Sequence, residues 1–161
     1  MNAEMSSIVA MLEAVHSTGT WYGKPVMEVL TATDETVVYE RPTANSHSLI
    51  DLLYHMLNWQ DFTLRRLQKI READPTLVDQ MDWRDIDPKI HTWKEGVAAF
   101  EEQFRQIKAL LETVPESLLE EPVDYRDYNF RHLLNGLIQH NIYHIGQVAY
   151  VQKLLSVSNS D

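Results

Sequence analysis

The stretch Leu134–Gln147 reads Leu-Asn-Gly-Leu-Ile-Gln-His-Asn-Ile-Tyr-His-Ile-Gly-Gln and carries His140 and His144 four residues apart within an apolar repeat. A helix turns about 100° per residue, so residues four apart lie one turn apart on the same side. His144 falls at nearly the same angle as Leu137 and Val148, whereas His140 lies nearer the edge of that stripe. Two neutral imidazoles that face a core need partners for their ring nitrogens, and a metal ion is one such partner.

Composition limits the kinds of site that the chain can build. Its 161 residues are 44% hydrophobic, which predicts one domain with its own core over residues 1–161. The absence of cysteine excludes disulfides, thiolate zinc sites and a catalytic cysteine, so any metal must be held by imidazole and oxygen ligands. The formal net charge of −10 argues against nucleic acid and anionic lipid as partners.

The sequence contains no segment that predicts membrane insertion. No run of about 18 apolar residues occurs, and the apolar N-terminal stretch 1–15 is interrupted by Glu4 and Glu13. We therefore expect a soluble cytoplasmic protein without a membrane partner.

Four amphipathic segments, each with an apolar residue every three to four positions, predict four long helices. The first runs from Met5 to Val15 and the second begins near Ser46–Ser48, where Ser48 and Asp51 have the spacing of a capping box. The third and fourth cover Ile90–Leu111 and Phe130–Leu155.

Long connections separate these helices. They cover residues 31–45, 74–88 and 116–129, and a short helix is predicted before the first of them, at Pro25–Leu30. The only strand candidate is the short segment Glu35–Glu40. The pattern predicts an all-α fold, a four-helix bundle with long crossover connections.

His55 is the best candidate for a third metal ligand. It lies in the middle of the second long helix, between Leu52 and Trp59 on or beside the apolar face. Catalytic metal sites usually take three protein ligands and keep a position open, and two bundle helices that each offer imidazole can form such a site. The alternative is that His140 and His144 form a chance surface pair or a hydrogen-bonded core pair. For the other histidines we expect solvated or locally hydrogen-bonded roles; these are His16, His47, His91 and His132.

Three further residues constrain the chemistry. Zinc peptidase helices read His-Glu-x-x-His, but Asn141 stands at the glutamate position and cannot act as a general base. Asp51, one turn before His55, either orients that ring or caps its helix. Gly146 destabilises a helix interior relative to alanine, so we expect a loop or a second subunit to approach the back of the helix there.

Several motifs together resemble the DinB/YfiT-like family. The sharpest is the element His140-x-x-x-His144-Ile145-Gly146-Gln147, and the segment His47–Trp59 is similar to the family's second helix. Smaller matches complete the resemblance over nearly the whole chain; they are Trp21-Tyr22-Gly23, Arg41-Pro42, Asp82-Trp83 and Tyr128-Asn129-Phe130.

The resemblance implies a four-helix bundle in which three histidines hold a divalent metal, most often nickel or zinc. Carried onto this chain, the ligands are His55, His140 and His144. It also implies a homodimer, and some similar proteins transfer low-molecular-weight thiols such as bacillithiol.

These observations lead to one main functional hypothesis and two alternatives. The main hypothesis is a metal-dependent enzyme that acts on a small-molecule substrate, with thiol S-transfer as the reaction. The alternatives are a hydrolase that uses metal-bound water, and a non-catalytic metal-binding dimer of a stress response. We expect the substrate to enter between connections 74–88 and 116–129, where the nearby cations are Arg41, Arg126 and Arg131.

Overall fold

Helices make up most of the chain that the computed structural model describes, which is residues 3–71 and 74–158. The α-helices are α1 (Ala3–Glu13), α2 (Val26–Thr31), α3 (Leu49–Leu67), α4 (Leu77–Gln80), α5 (Trp93–Leu111) and α6 (Phe130–Ser158). A π-helical turn, Ala14–Thr18, extends α1, and 3-10 turns lie at Glu35–Val37 and Glu116–Glu120. The prediction of an all-α fold is confirmed.

The four long helices pack as a ring. Helices α1 and α3 each pack against both α5 and α6, so α1 lies diagonally across the bundle from α3. The closest packing joins α3 to its two neighbours, and α3 is buried along most of its length. The bundle therefore brings the middle of α3 against the middle of α6, where the candidate histidines lie.

In the described ranges, no helix combines the length and the apolar character that crossing a membrane requires.

The start of α3 follows the predicted capping box. The backbone N–H of Ser48 donates to Asp51 Oδ2 over 2.8 Å, and the backbone N–H of Asp51 donates to Ser48 Oγ over 3.3 Å. The start of α5 differs from the prediction, because Thr92 caps the helix and Ile90 lies before it, 65% exposed. The backbone N–H of Asp87 donates to His91 Nδ1, and this bond holds residues 87–91 in a turn before the helix.

The strand candidate Glu35–Glu40 does not form a strand. Asp34 Oδ1 accepts a hydrogen bond from the backbone N–H of Thr36 over 2.9 Å and so caps a 3-10 turn at Glu35–Val37. Val38 is buried after that turn, and its carbonyl accepts from the N–H of Ile50. Burial of Val38 by a turn explains the apolar signal that favoured a strand, and the described residues contain only isolated β-bridges.

Glycine has two different roles in the bundle. A Cβ on Gly96 would lie 2.7 Å from Leu53 Cδ2, so this glycine permits the close approach of α5 to α3. At Gly146, by contrast, a Cβ would meet no atom of the described chain within 4 Å. The expectation that a loop of the same chain covers Gly146 is therefore wrong for the residues that the structure describes.

His16 is a buried titratable residue outside the candidate site. Its ring stacks on Phe104 with centroids 3.6 Å apart, and neither ring nitrogen has a hydrogen-bond partner. The prediction of a solvated or hydrogen-bonded role for His16 is wrong. The π-helical turn directs this side chain toward α5, where it is only 7% exposed. Burial lowers the pKa of His16 to about 4.

We predict that His16 makes the protein less stable in acid. The unfolded chain protonates this ring near pH 6.5 and the folded protein only near pH 4, so stability falls as pH decreases through that window. Through His16, the free energy of unfolding is about 3 kcal/mol smaller at pH 4 than at pH 7. Urea unfolding of the metal-free protein at pH 7 and pH 4.5 should therefore show a smaller loss of stability for His16→Leu than for the wild type. Replacing the exposed His132 by Leu is the matched control, and equal losses in all three proteins would contradict the prediction.

Candidate metal centre

Three imidazoles from two helices meet inside the bundle. His55 Nε2, from α3, lies 2.9 Å from His140 Nε2 and 2.9 Å from His144 Nε2, both from α6. His55 and His144 are 6% and 5% exposed, and His140 is half-buried. The three residues that sequence reasoning selected from separate stretches thus converge, and their nitrogens lie within 4.8 Å of one another.

Hydrogen bonds to oxygen fix the tautomers of two of these rings. His55 Nδ1 lies 3.0 Å from the backbone carbonyl oxygen of Asp82 and 3.1 Å from Asp82 Oδ1. His144 Nδ1 lies 2.8 Å from Gln147 Oε1. These oxygens only accept hydrogen bonds, so each Nδ1 carries the proton and donates it.

It follows that His55 Nε2 and His144 Nε2 are both unprotonated. Their lone pairs face each other over 2.9 Å, an arrangement that is repulsive without a cation or a proton between them. The buried Nδ1 of His140 has no hydrogen-bond partner. Imidazole Nε2 atoms held by carbonyl or amide oxygens at the other nitrogen are the usual ligands of first-row divalent ions. The donor set therefore fits a divalent metal.

The electrostatics keep the imidazoles neutral. Burial, reinforced by the adjacent imidazoles, lowers the pKa of His140 to about 3. Burial also lowers the pKa of His144 to about 4 and the pKa of His55 below its usual value. Neutral imidazole is the form that coordinates a metal, so the site is ready to bind one near pH 7 without releasing protons.

The residue that orients His55 is Asp82, which sequence reasoning did not select. Asp82 comes from the connection 74–88, and its Oδ1 also accepts a hydrogen bond from Trp59 Nε1 over 2.5 Å. Of the two roles considered for Asp51, capping is the observed one, and Arg41 pairs with its carboxylate over 2.7 Å. The only available signal for Asp82 was its place in the Asp82-Trp83 motif.

Trp83 covers one side of the cluster. Its ring stacks on His55 with centroids 4.0 Å apart and on His47 with centroids 3.7 Å apart. The indole thus forms a wall of the site. Trp21, which also lies on a connection, is fully exposed.

Two cavities of different chemistry border the three histidines. The first, of about 350 Å³, is the polar chamber; it is lined by Arg41, His47, Asp51, His55, Trp83, Arg84, Asp85 and Ile86. The second, of about 210 Å³, is the apolar chamber; it is lined by Trp59, Thr63, Tyr128, His132, Leu133, Gly136, Leu137 and His140. Each of the two connections expected to frame the entrance therefore contributes to a different chamber.

The cations near the site differ from those expected. Arg126 pairs with Asp79 over 3.1 Å, and Arg131 pairs with Glu4 and Glu120. Neither residue lines the polar or the apolar chamber. Arg41 lines the polar chamber but is paired with Asp51.

Arg84 is the cation that sequence reasoning missed. Its nearest hydrogen-bonding contact is Asn58 Oδ1, at 3.4 Å, and its buried Nε has no partner. The carboxylate whose charge acts on this guanidinium is Asp61, which is not part of the polar chamber lining. Arg84 is thus the positive charge of the polar chamber that is not paired with a carboxylate of its lining.

Comparison with known proteins identifies the family. A family model described as the DinB superfamily matches residues 25–148, a range that contains His55, His140 and His144. No curated protein and no solved structure matches the chain.

We predict that Asp82 supports metal binding through His55. Asp82→Ala removes the carboxylate contact to Nδ1 while the backbone carbonyl remains, and loss of such a contact weakens metal binding by about tenfold or more. Titration of the metal-free protein with Ni²⁺ in a calorimeter measures the change. Asp85→Ala, three residues along the same connection, is the control and should bind as the wild type does. If both variants keep wild-type affinity, Asp82 does not orient a ligand.

Proposed function

We propose that this chain, which belongs to the DinB superfamily, binds a divalent metal through His55, His140 and His144 and transfers a low-molecular-weight thiol to an electrophile. The observation that carries the metal proposal is the pair of unprotonated Nε2 atoms, 2.9 Å apart, on His55 and His144. Nickel and zinc are the proposed ions, since both accept imidazole ligands and the family resemblance implies one of them.

An open coordination position favours a catalytic ion over a structural one. Structural zinc is normally held by four protein ligands, whereas catalytic zinc is held by three. Among the described residues the cluster consists of three histidines and is not completed by a carboxylate. Three protein ligands, one fewer than structural zinc normally has, argue against the alternative in which the metal only stabilises the contact between two helices.

A bound divalent ion would lower the pKa of a thiol or of water ligated to it and so supply a nucleophile near neutral pH. The chain's own residues prepare the site for that chemistry. Asp82 and Gln147 hold the rings of His55 and His144 with Nε2 inward, and Trp83 shields the cluster on the side of the polar chamber.

Thiol transfer suits this site better than peptide hydrolysis of the His-Glu-x-x-His type, and hydrolysis by metal-bound water stays the alternative. In the transfer, the thiol sulfur bonds to the electrophilic carbon, the leaving group departs with its electron pair, and the thiol proton passes to solvent. Hydrolysis of a peptide needs a general base, yet Asn141 stands where zinc peptidases have glutamate, and it is 5% exposed. Arg84 is the residue that we propose to bind an acidic group of the thiol in the polar chamber.

We also propose that the protein is a homodimer formed through the outer face of α6. Tyr143 and Tyr150 lie two turns apart on this face and are 65% and 63% exposed. Leu154 continues the same stripe, and the sequence from His132 to Gln152 carries no charged side chain other than histidine. Large exposed aromatics on an uncharged helix face are typical of a protein interface.

We predict one metal ion per chain in tag-free protein, measured by elemental analysis. His144→Ala should lose most of that metal, because it removes one of three ligands, whereas the exposed His132→Ala should keep it. If the purified wild type contains no stoichiometric metal and takes up none, the proposal fails.

Activity is tested separately, because a metal site need not be catalytic. We expect the metal-loaded protein to conjugate small thiols to a panel of electrophiles, His144→Ala to lose this activity and Arg84→Gln to raise the KM for thiols that carry a carboxylate. A loaded protein whose conjugation stays at background favours the non-catalytic alternative, and hydrolysis of an ester panel by the same protein favours the hydrolase.

A further inference from the structure

The apolar chamber differs from the polar chamber in having no charged lining. Of its lining residues only His132 and His140 are imidazoles, and none is Asp, Glu, Lys or Arg. The polar chamber, by contrast, is lined by Arg41, Asp51, Arg84 and Asp85. A charged group would therefore find ionic partners on one side of the histidine cluster and none in the lining of the other side.

Two polar side-chain groups of the apolar walls are engaged within the protein. Trp59 Nε1 donates to Asp82 Oδ1, and Thr63 Oγ1 donates to the backbone carbonyl of Trp59 over 2.9 Å. Leu133 and Leu137 supply aliphatic surface and are buried. What these walls offer a ligand is thus mainly aromatic and aliphatic contact, with His140 at one end.

Gly136 keeps this chamber wide. A Cβ at this position would meet no atom of the described chain within 4 Å, so helix packing does not require glycine here. Glycine in a helix interior destabilises the helix relative to alanine. Because Gly136 lines the chamber, its missing side chain leaves space beside His140 that any other residue would occupy.

We infer that the apolar chamber receives an uncharged, ring-sized apolar group of the substrate. Its volume of about 210 Å³ exceeds that of engineered apolar cavities of about 150 Å³ that bind benzene. The role of this group in the reaction rests on the proposed function. In that reaction the apolar group belongs to the electrophile, and the thiol lies in the polar chamber. The two reactants would then approach the histidine cluster from different sides.

The test compares two positions on different helices. Gly136→Leu fills the chamber, whereas Ala99→Leu places the same side chain at an exposed position of α5, outside the chamber lining. Binding of benzyl alcohol to metal-free protein is measured by saturation-transfer NMR, with benzoate as the charged analogue. Binding to the wild type and to Ala99→Leu should be similar, and binding to Gly136→Leu should be about tenfold weaker or absent, since the ring loses its contact area. Benzoate should bind more weakly than benzyl alcohol to all three proteins.

Equal binding of benzyl alcohol to Gly136→Leu and the wild type would overturn the inference, as would tighter binding of benzoate. If Gly136→Leu does not fold, Gly136→Val replaces it, and an undiminished affinity there would equally count against the chamber. Uptake of Co²⁺, followed by its visible absorption in the same proteins, separates the two proposals. Loss of ring binding with normal Co²⁺ uptake in Gly136→Leu supports the chamber, whereas a wild type that binds the ring but no Co²⁺ refutes the metal proposal alone.

Discussion

The contact between His55 Nε2 and His144 Nε2 is the constraint on which the site depends. Each ring is held at its far nitrogen by an oxygen, so the two near nitrogens present lone pairs to each other at 2.9 Å. Burial disfavours a proton between the two nitrogens, so a metal cation is the partner that best relieves the repulsion of their lone pairs. The packing of α3 against α6 fixes this geometry, and the close approach of α5 at Gly96 helps to hold α3 in place.

The fold and the meeting of the three histidines could be predicted, the fold from local periodicity and the histidines from helical spacing together with the family resemblance. The apolar spacing located the long helices, and the capping box at Ser48 located the start of α3. His140 and His144 were selected by their spacing of one helical turn, and His55 by its mid-helix position. The segment Glu35–Glu40 was a strand candidate because a buried valine after a capped turn gives the same short apolar signal as a strand.

The surroundings of the histidines could not be predicted in the same way. Asp82, Trp83 and Arg84 lie in a connection without periodicity, and only the path of the chain brings them against His55 and the polar chamber. Arg126 and Arg131 are equally near the site in sequence, but carboxylates elsewhere on the surface pair with them. Charge and sequence position alone do not distinguish a free cation from a paired one.

The absence of a partner at His140 Nδ1 makes the three rings unequal. With an ion bound, His55 and His144 would each be anchored at both ends of the imidazole, whereas His140 would lack an oxygen partner at Nδ1. His140 also borders the apolar chamber. It would therefore be the hemilabile ligand of the set, the one that an incoming group displaces while the other two rings retain the ion.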